Sequence, residues 1–217
     1  MQSTRGARCV PWLRISVLSG ALLAGCGLAQ AGADPLPPDR TPTTDVATGT
    51  MTEAIRRMVT NVVIPDLRMV RQDGVPVSLA QELNDGRPVV LNFVYTSCTT
   101  ICPMSSQEFS LLQQRLGKDR DRVHLVSISI DPEQDTPSRL RTYAHQFHAG
   151  KEWNYYTGSA EASQRAQIAF GIYHGDKMSH VPVTLLRTAP GSQWVRLDGF
   201  ATADDMYAEL QGMLARR

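Results

Sequence analysis

One stretch constrains this chain more than any other. Pro88-Val-Val-Leu-Asn-Phe-Val-Tyr95 is an apolar run of strand length, and it leads directly into Cys98-Thr-Thr-Ile-Cys102-Pro103. Such a run is what a strand buried on both faces looks like. Proline has no N–H to lose in the first turn of a helix, so a helix is expected from about Pro103 to Leu116. Cys102 then falls at or just before the helix start, where free N–H groups and the helix dipole stabilise a thiolate. Cys98 lies four residues back, on the loop leaving the strand.

The elements around this stretch suggest the architecture. Val62-Val-Ile-Pro65 and Arg68-Met-Val70 read as short strands, and Asp73-Gly74 turns the chain so that Val75-Pro-Val77 returns as a hairpin. Val123-His-Leu-Val-Ser-Ile-Ser-Ile130 is a second buried strand. A helix follows from about Pro137 to Phe147, with Thr136 as its cap, and another from about Ala160 to Phe170. Val183–Arg187 and Trp194–Leu197 form two more strands, and an amphipathic helix from Ala203 to about Leu214 closes the chain. This order predicts an α/β, thioredoxin-like fold, with a central mixed sheet flanked by helices and an N-terminal β-hairpin extension. No glycine-rich phosphate loop follows Tyr95, which weighs against nucleotide binding.

The N-terminus reads as an export signal. Arg5, Arg8 and Arg14 precede the uncharged run from Ile15 to Ala33, and the first 25 residues hold no acid. Leu23-Ala24-Gly25-Cys26 resembles the lipobox of bacterial lipoproteins, in which the chain is cut before a cysteine that carries lipid. Cleavage after Ala31 or Ala33, both small-x-small sites, and retention of the run as an anchor are the competing readings. All three put the domain outside the cytoplasm, and the first tethers it by Cys26 to the periplasmic side of a bacterial membrane. The expected organisation is a signal over residues 1–25, a linker over 26–60 rich in Pro, Thr and Asp, and one domain over 61–217. Net charge is +1 for the whole chain and negative without the signal. Nucleic acid is therefore a poor partner.

Of the four cysteines, Cys9 lies in the signal and Cys26 is lipidated or lost, so the exported domain keeps Cys98 and Cys102. In an oxidising compartment such a pair becomes a disulfide unless metal or a reductant holds it. A bridge here would close a very small loop and stabilise little by chain entropy, at the functional end of an α/β sheet. Two soft sulfurs suit Cu(I) or zinc better than Mg or Ca.

The stretch Gly86–Pro103, together with Val126-Ser-Ile-Ser-Ile-Asp131-Pro-Glu-Gln-Asp135-Thr-Pro137, resembles the Sco/SenC family over residues 61 to 217. That resemblance implies a thioredoxin-like copper protein that helps assemble the dinuclear copper centre of cytochrome c oxidase. It implies Cu(I) or Cu(II) held by Cys98, Cys102 and His180, with the subunit carrying that centre, or another copper protein, as partner. The histidine segment, Asp176-Lys-Met-Ser-His180-Val-Pro182, departs from the family's Asp-His pattern. Its aspartate sits four positions upstream, so the acceptor for the second imidazole nitrogen is left open.

Other residues compete for a role. His174 is a neighbouring alternative to His180. His145 and His148 sit three apart on an expected helix, where a solvated face is the simpler reading, and His124 begins a strand. Met178 offers a thioether near His180 or packs on the domain. Asp131 either tunes the cysteines from the same sheet edge as a second layer around the metal, or is a turn residue before Pro132. The expected function is a copper chaperone that transfers metal by ligand exchange. A thiol–disulfide oxidoreductase acting on the acceptor's cysteines is the rival, because dithiol exchange needs no third donor. A peroxidase, which needs a lone reactive cysteine, fits less well.

Overall fold

The computed structural model describes residues 55–216. The expected signal over 1–25, Cys26 and the linker up to residue 54 lie outside the described residues. The described chain forms β1 (Arg56–Thr60), β2 (Arg68–Arg71), β3 (Pro76–Ser78), α1 (Leu79–Leu83), β4 (Val89–Val94), α2 (Ile101–Leu116), β5 (His124–Ser129), α3 (Pro137–Gln146), β6 (Trp153–Gly158), α4 (Ala160–Ala169), β7 (Val183–Arg187), β8 (Trp194–Asp198) and α5 (Ala203–Ala215).

One mixed sheet runs in the order β1-β8-β7-β4-β5-β6-β2-β3. The β4–β5 and β5–β6 pairs are parallel, and the remaining pairs are antiparallel. The fold is thioredoxin-like, and the β2–β3 hairpin extends it beyond β6.

β4 lies at the centre and is buried along its whole length, as its apolar content requires. Val89, Leu91 and Phe93 face one core, shared with Leu79 and Leu83 of α1 and with Ala162 and Ala166 of α4. Val90 and Val94 face the other, shared with Phe109 and Leu112 of α2, Leu140 of α3, and Met206 and Leu210 of α5. Removing one of these buried leucines to alanine would cost about 2–5 kcal/mol. Asn92, the one polar residue of β4, is buried and accepts from Ser127 Oγ at 2.7 Å.

The helix termini obey local rules. Thr136 Oγ1 accepts from Arg139 N, with Pro137 in the first turn of α3. At the start of α5, Thr202 and Asp205 form a reciprocal capping box.

Four elements differ from the sequence reading. Val62–Pro65 is extended but pairs with no strand; Pro65 lacks an N–H, and Val62 and Ile64 pack on the core from outside the sheet. β1 lies inside the stretch read as linker. It pairs with β8, and Arg57 forms a two-pronged ion pair with Glu209 of α5 at 2.7 and 2.8 Å. α1 is a short helix capped by Ser78. β6, Trp-Asn-Tyr-Tyr-Thr-Gly, completes the parallel core beside β5.

Candidate metal centre

The cysteine loop leaves β4 at Tyr95 and is tied down before it reaches the first sulfur. Asp135, fully buried, accepts from Thr96 N at 3.1 Å, from Thr96 Oγ1 at 2.5 Å and from Ser129 Oγ at 2.6 Å. A buried carboxylate is costly unless donors surround it, and here backbone and hydroxyl donors do so. Sequence reading noted the Asp131–Pro137 segment without assigning Asp135 this role. The signal was present in the motif, but its partner Thr96 lies 39 positions away.

α2 begins at Ile101, two residues earlier than expected, after Thr100, whose side chain makes no cap hydrogen bond. The sulfur of Cys98 stands in for the cap, because the backbone N–H of Cys102 donates to Cys98 Sγ at 3.4 Å. Burial alone would raise the Cys98 thiol. The N–H groups of Cys102 and Thr100 outweigh it and bring Cys98 down to about 7. Burial pushes Cys102 up to about 12, and the neighbouring Cys98 sulfur adds to the rise. The sequence reading has the helix terminus stabilise a thiolate at Cys102 beside that of Cys98; here the N–H groups act on Cys98. With the helix starting earlier, Cys102 lies inside the first turn and its sulfur is enclosed, while the exposed end of the helix points at Cys98. Both cysteines are free thiols.

His180 follows a 3₁₀ turn, Lys177–Ser179, and lines one cleft together with Cys102, Phe93, Ile101 and Pro182. Its Nε2 lies 3.3 Å from the backbone oxygen of Phe93. A carbonyl can only accept, so Nε2 carries the proton and the Nδ1 lone pair is left for another partner. Burial lowers the imidazole's pKa against the opposing pull of the Phe93 carbonyl, so the ring is neutral at pH 7. The acceptor left open by the displaced aspartate is therefore Phe93 O. Asp176 serves instead as the cap of the 3₁₀ turn, accepting from Met178 N at 2.9 Å.

Asp131 is spent on the same turn. Its carboxylate accepts from Lys177 Nζ at 2.6 Å, and its backbone oxygen accepts from Gln134 N and Asp135 N. Of the two sequence readings of Asp131, the turn residue is the one seen here, and its carboxylate also holds the histidine segment through Lys177. Lys177 Nζ lies 5.9 Å over the Tyr95 ring, and Tyr95 Oη lies 3.9 Å from Met178 Sδ. The histidine segment is thus fastened to the strand that carries the cysteines.

Cys98 and Cys102 are brought together, and His180 shares a cleft with Cys102. Among the described residues, no three His, Cys, Asp or Glu side chains are gathered closely enough to hold a metal ion. For all three to share one ion the two loops have to close, with His180 keeping Nε2 on Phe93 O and offering Nδ1. His174 shares a second cleft with His180 and adds to the lowering of its pKa. His148 lies beyond the end of α3 in a left-handed conformation (φ 54°), so it does not share a helical face with His145. His124 is buried against Asn154 and Tyr156, and burial holds it down at about 4. Met178 does not pack on the domain but is 74% exposed.

Comparison with known proteins identifies the family. The family model described as SCO1/SenC matches residues 56–215. A Stutzerimonas stutzeri protein provisionally named as copper-binding is 37% identical over 110 residues, which are 50% of this chain and 52% of the relative. The chain spans about half the length of the curated relatives it matches. The structure of Bradyrhizobium japonicum ScoI with copper bound superposes with a TM-score of 0.57 at 24% identity, over 70% of this chain and 99% of the other. BsSco, described with a disulfide switch and as a member of the Sco family of cytochrome c oxidase assembly proteins, gives a TM-score of 0.61 at 24% identity, over 74% and 98%. At these identities the structural matches establish the fold.

Proposed function

The chain belongs to the SCO1/SenC family, and on that premise we propose that it is a copper chaperone whose cargo is one copper ion held by Cys98 and Cys102, with His180 as the third donor. One observation carries this reading: a thiolate-forming Cys98 and an enclosed Cys102 share one helix terminus, with a neutral imidazole in the adjoining cleft. The donor set fits copper chemically. Two sulfurs satisfy Cu(I), and the nitrogen of His180 adds what Cu(II) prefers. Phe93 O supplies the acceptor that orients a metal-binding imidazole.

Loading needs little from the protein at Cys98, whose thiol is brought down to about 7 and so is partly ionised at neutral pH. Cys102 must give up its proton to solvent as its sulfur binds, so the second sulfur joins only when the ion is seated. Release runs the other way, and the partner that offers competing soft ligands takes the ion by ligand exchange. We propose as that partner the copper-centre subunit of cytochrome c oxidase or another copper protein; BsSco is described as a member of a family of cytochrome c oxidase assembly proteins. A lipid anchor at Cys26 on the periplasmic side of the membrane would keep the domain beside a membrane-bound acceptor.

A second reading is favoured by the split between the two thiols. A sulfur whose pKa is lowered beside one whose pKa is raised is the arrangement of an attacking and a resolving cysteine. In that cycle both thiols are oxidised to one disulfide, and an acceptor disulfide takes the two electrons and two protons. The two readings compete for the same sulfurs, so copper binding and the disulfide exclude each other. The test is copper uptake by the same protein before and after reduction. Reduced protein is expected to bind one Cu(I), and the disulfide form none tightly. Equal uptake by both forms would contradict the two-sulfur site.

A further inference from the structure

We infer that Met178 is the entry and exit ligand for Cu(I), a thioether that receives the ion before Cys98 and holds it briefly on departure; this rests on the copper reading above. An apolar side chain 74% exposed beside a metal site needs an account, since burial would be favourable by about 1.5–3 kcal/mol. The exposure is not that of a loose loop. Met178 is the middle residue of a 3₁₀ turn fastened by Asp176, whose Oδ1 accepts from Met178 N at 2.9 Å and whose backbone oxygen accepts from Ser179 N at 3.0 Å. Lys177, next to it, is anchored to the buried Asp131. The turn therefore holds the thioether outward.

The sulfur points at the cysteine loop. Met178 Sδ lies 3.9 Å from Tyr95 Oη, and Tyr95 stands at the root of that loop, where its backbone oxygen accepts from Cys98 N at 3.2 Å. Met178 and Cys98 thus flank one tyrosine. His180 is half-buried, with its Nε2 against Phe93 O. An ion arriving from solvent meets the thioether before the imidazole.

The chemistry of a thioether suits that place. It is neutral, soft and never protonated, so it accepts Cu(I) at any pH and favours it over zinc or Cu(II). One neutral thioether holds copper weakly, which makes it fit for passage rather than storage. The step balances as ligand exchange: a copper–sulfur bond to Met178 forms as a bond to the donor breaks. Cys98 thiolate then displaces the thioether, and copper stays Cu(I) throughout.

A ligand of passage lowers the barrier equally in both directions and leaves the equilibrium alone. The experiment compares wild-type protein with Met178→Leu, which keeps the apolar bulk and loses the donor. Both, fully reduced, are loaded from and unloaded to the bathocuproine disulfonate complex of Cu(I), a small donor with no protein surface to dock, by stopped-flow absorbance. Both rates are expected to fall about tenfold in the variant, with affinity unchanged within about twofold. Unchanged rates would overturn the inference. So would a loss of affinity, which would make Met178 a resident ligand, or a slowing seen only with a protein donor, which would make it a docking contact. Failure of wild-type protein to bind Cu(I) would instead overturn the copper reading and this inference with it.

Discussion

The backbone N–H of Cys102 donates to the sulfur of Cys98 at 3.4 Å, so the two cysteines of one motif are unequal. One occupies the place of a helix cap, and its thiol is brought down to about 7. The other is inside the first turn and enclosed. Local backbone geometry alone, through the start of α2 at Ile101, makes Cys98 the reactive sulfur.

Alkylation should report that difference directly. The thiolate is the nucleophile, so the rate of reaction with iodoacetamide should rise with pH through a midpoint near 7. The label should appear on Cys98, with Cys102 unreactive until far higher pH, since it sits near 12. Peptide mapping of the partially alkylated protein reads the site. Early labelling of Cys102 would reverse the assignment.

Asp135 supports the same loop from beneath. Asp135→Ala removes the acceptor of Thr96 N, Thr96 Oγ1 and Ser129 Oγ and leaves buried donors unpaired. The expected loss is about 3 kcal/mol in urea unfolding, since each unpaired buried group costs about 1–3 kcal/mol. Asp135→Asn keeps an acceptor oxygen and should cost less. Equal stability of the alanine variant and wild type would mean that the loop does not depend on this carboxylate.

Much of this was legible in the sequence, for physical reasons that differ by element. Pro88–Tyr95 is aliphatic on both faces, so its burial at the centre of the sheet followed from its content. Thr136-Pro137 marked the start of α3 because cap and proline act locally. β6 was missed because its inward side chains are Trp153, Tyr155 and Tyr156, whose polar tips blur the alternation that aliphatic strands display. β1 was missed because an edge strand with two exposed arginines owes its place to β8 and Glu209, both far away in sequence. The cysteines and His180 were legible as residues. Their inequality was not, because it depends on a shift of two residues in the start of a helix. The exposure of Met178 depends on Lys177 reaching Asp131, which no local pattern announces.

His180→Ala should separate the two oxidation states of copper. Cu(I) accepts two sulfurs alone, so near-stoichiometric Cu(I) binding is expected to persist. Cu(II) without the imidazole should lose its visible sulfur-to-copper charge-transfer band as two equivalents of Cu(II), each reduced to Cu(I), oxidise the two thiolates to a disulfide. Exchange with a small thiol should change little, because Cys98 owes its ionisation to N–H groups and not to His180. An unchanged band in the variant would move the third ligand to His174 or Met178.

Cys26→Ser tests the tether. In cells fed labelled palmitate, wild-type protein is expected to carry the label, and the variant to remain an unlabelled precursor uncut at that position. The motif Leu23-Ala24-Gly25-Cys26 motivates this. Unlabelled wild-type protein would end the lipid-anchor reading and favour cleavage after Ala31 or Ala33, or a retained anchor.

The central claim is that both cysteine sulfurs bind the copper, and X-ray absorption at the copper edge of the reduced, Cu(I)-loaded protein tests it most directly. Two sulfur neighbours are expected in wild-type protein, with one fewer in each of Cys98→Ser and Cys102→Ser. A copper environment without sulfur, or one left unchanged by both substitutions, would contradict the account.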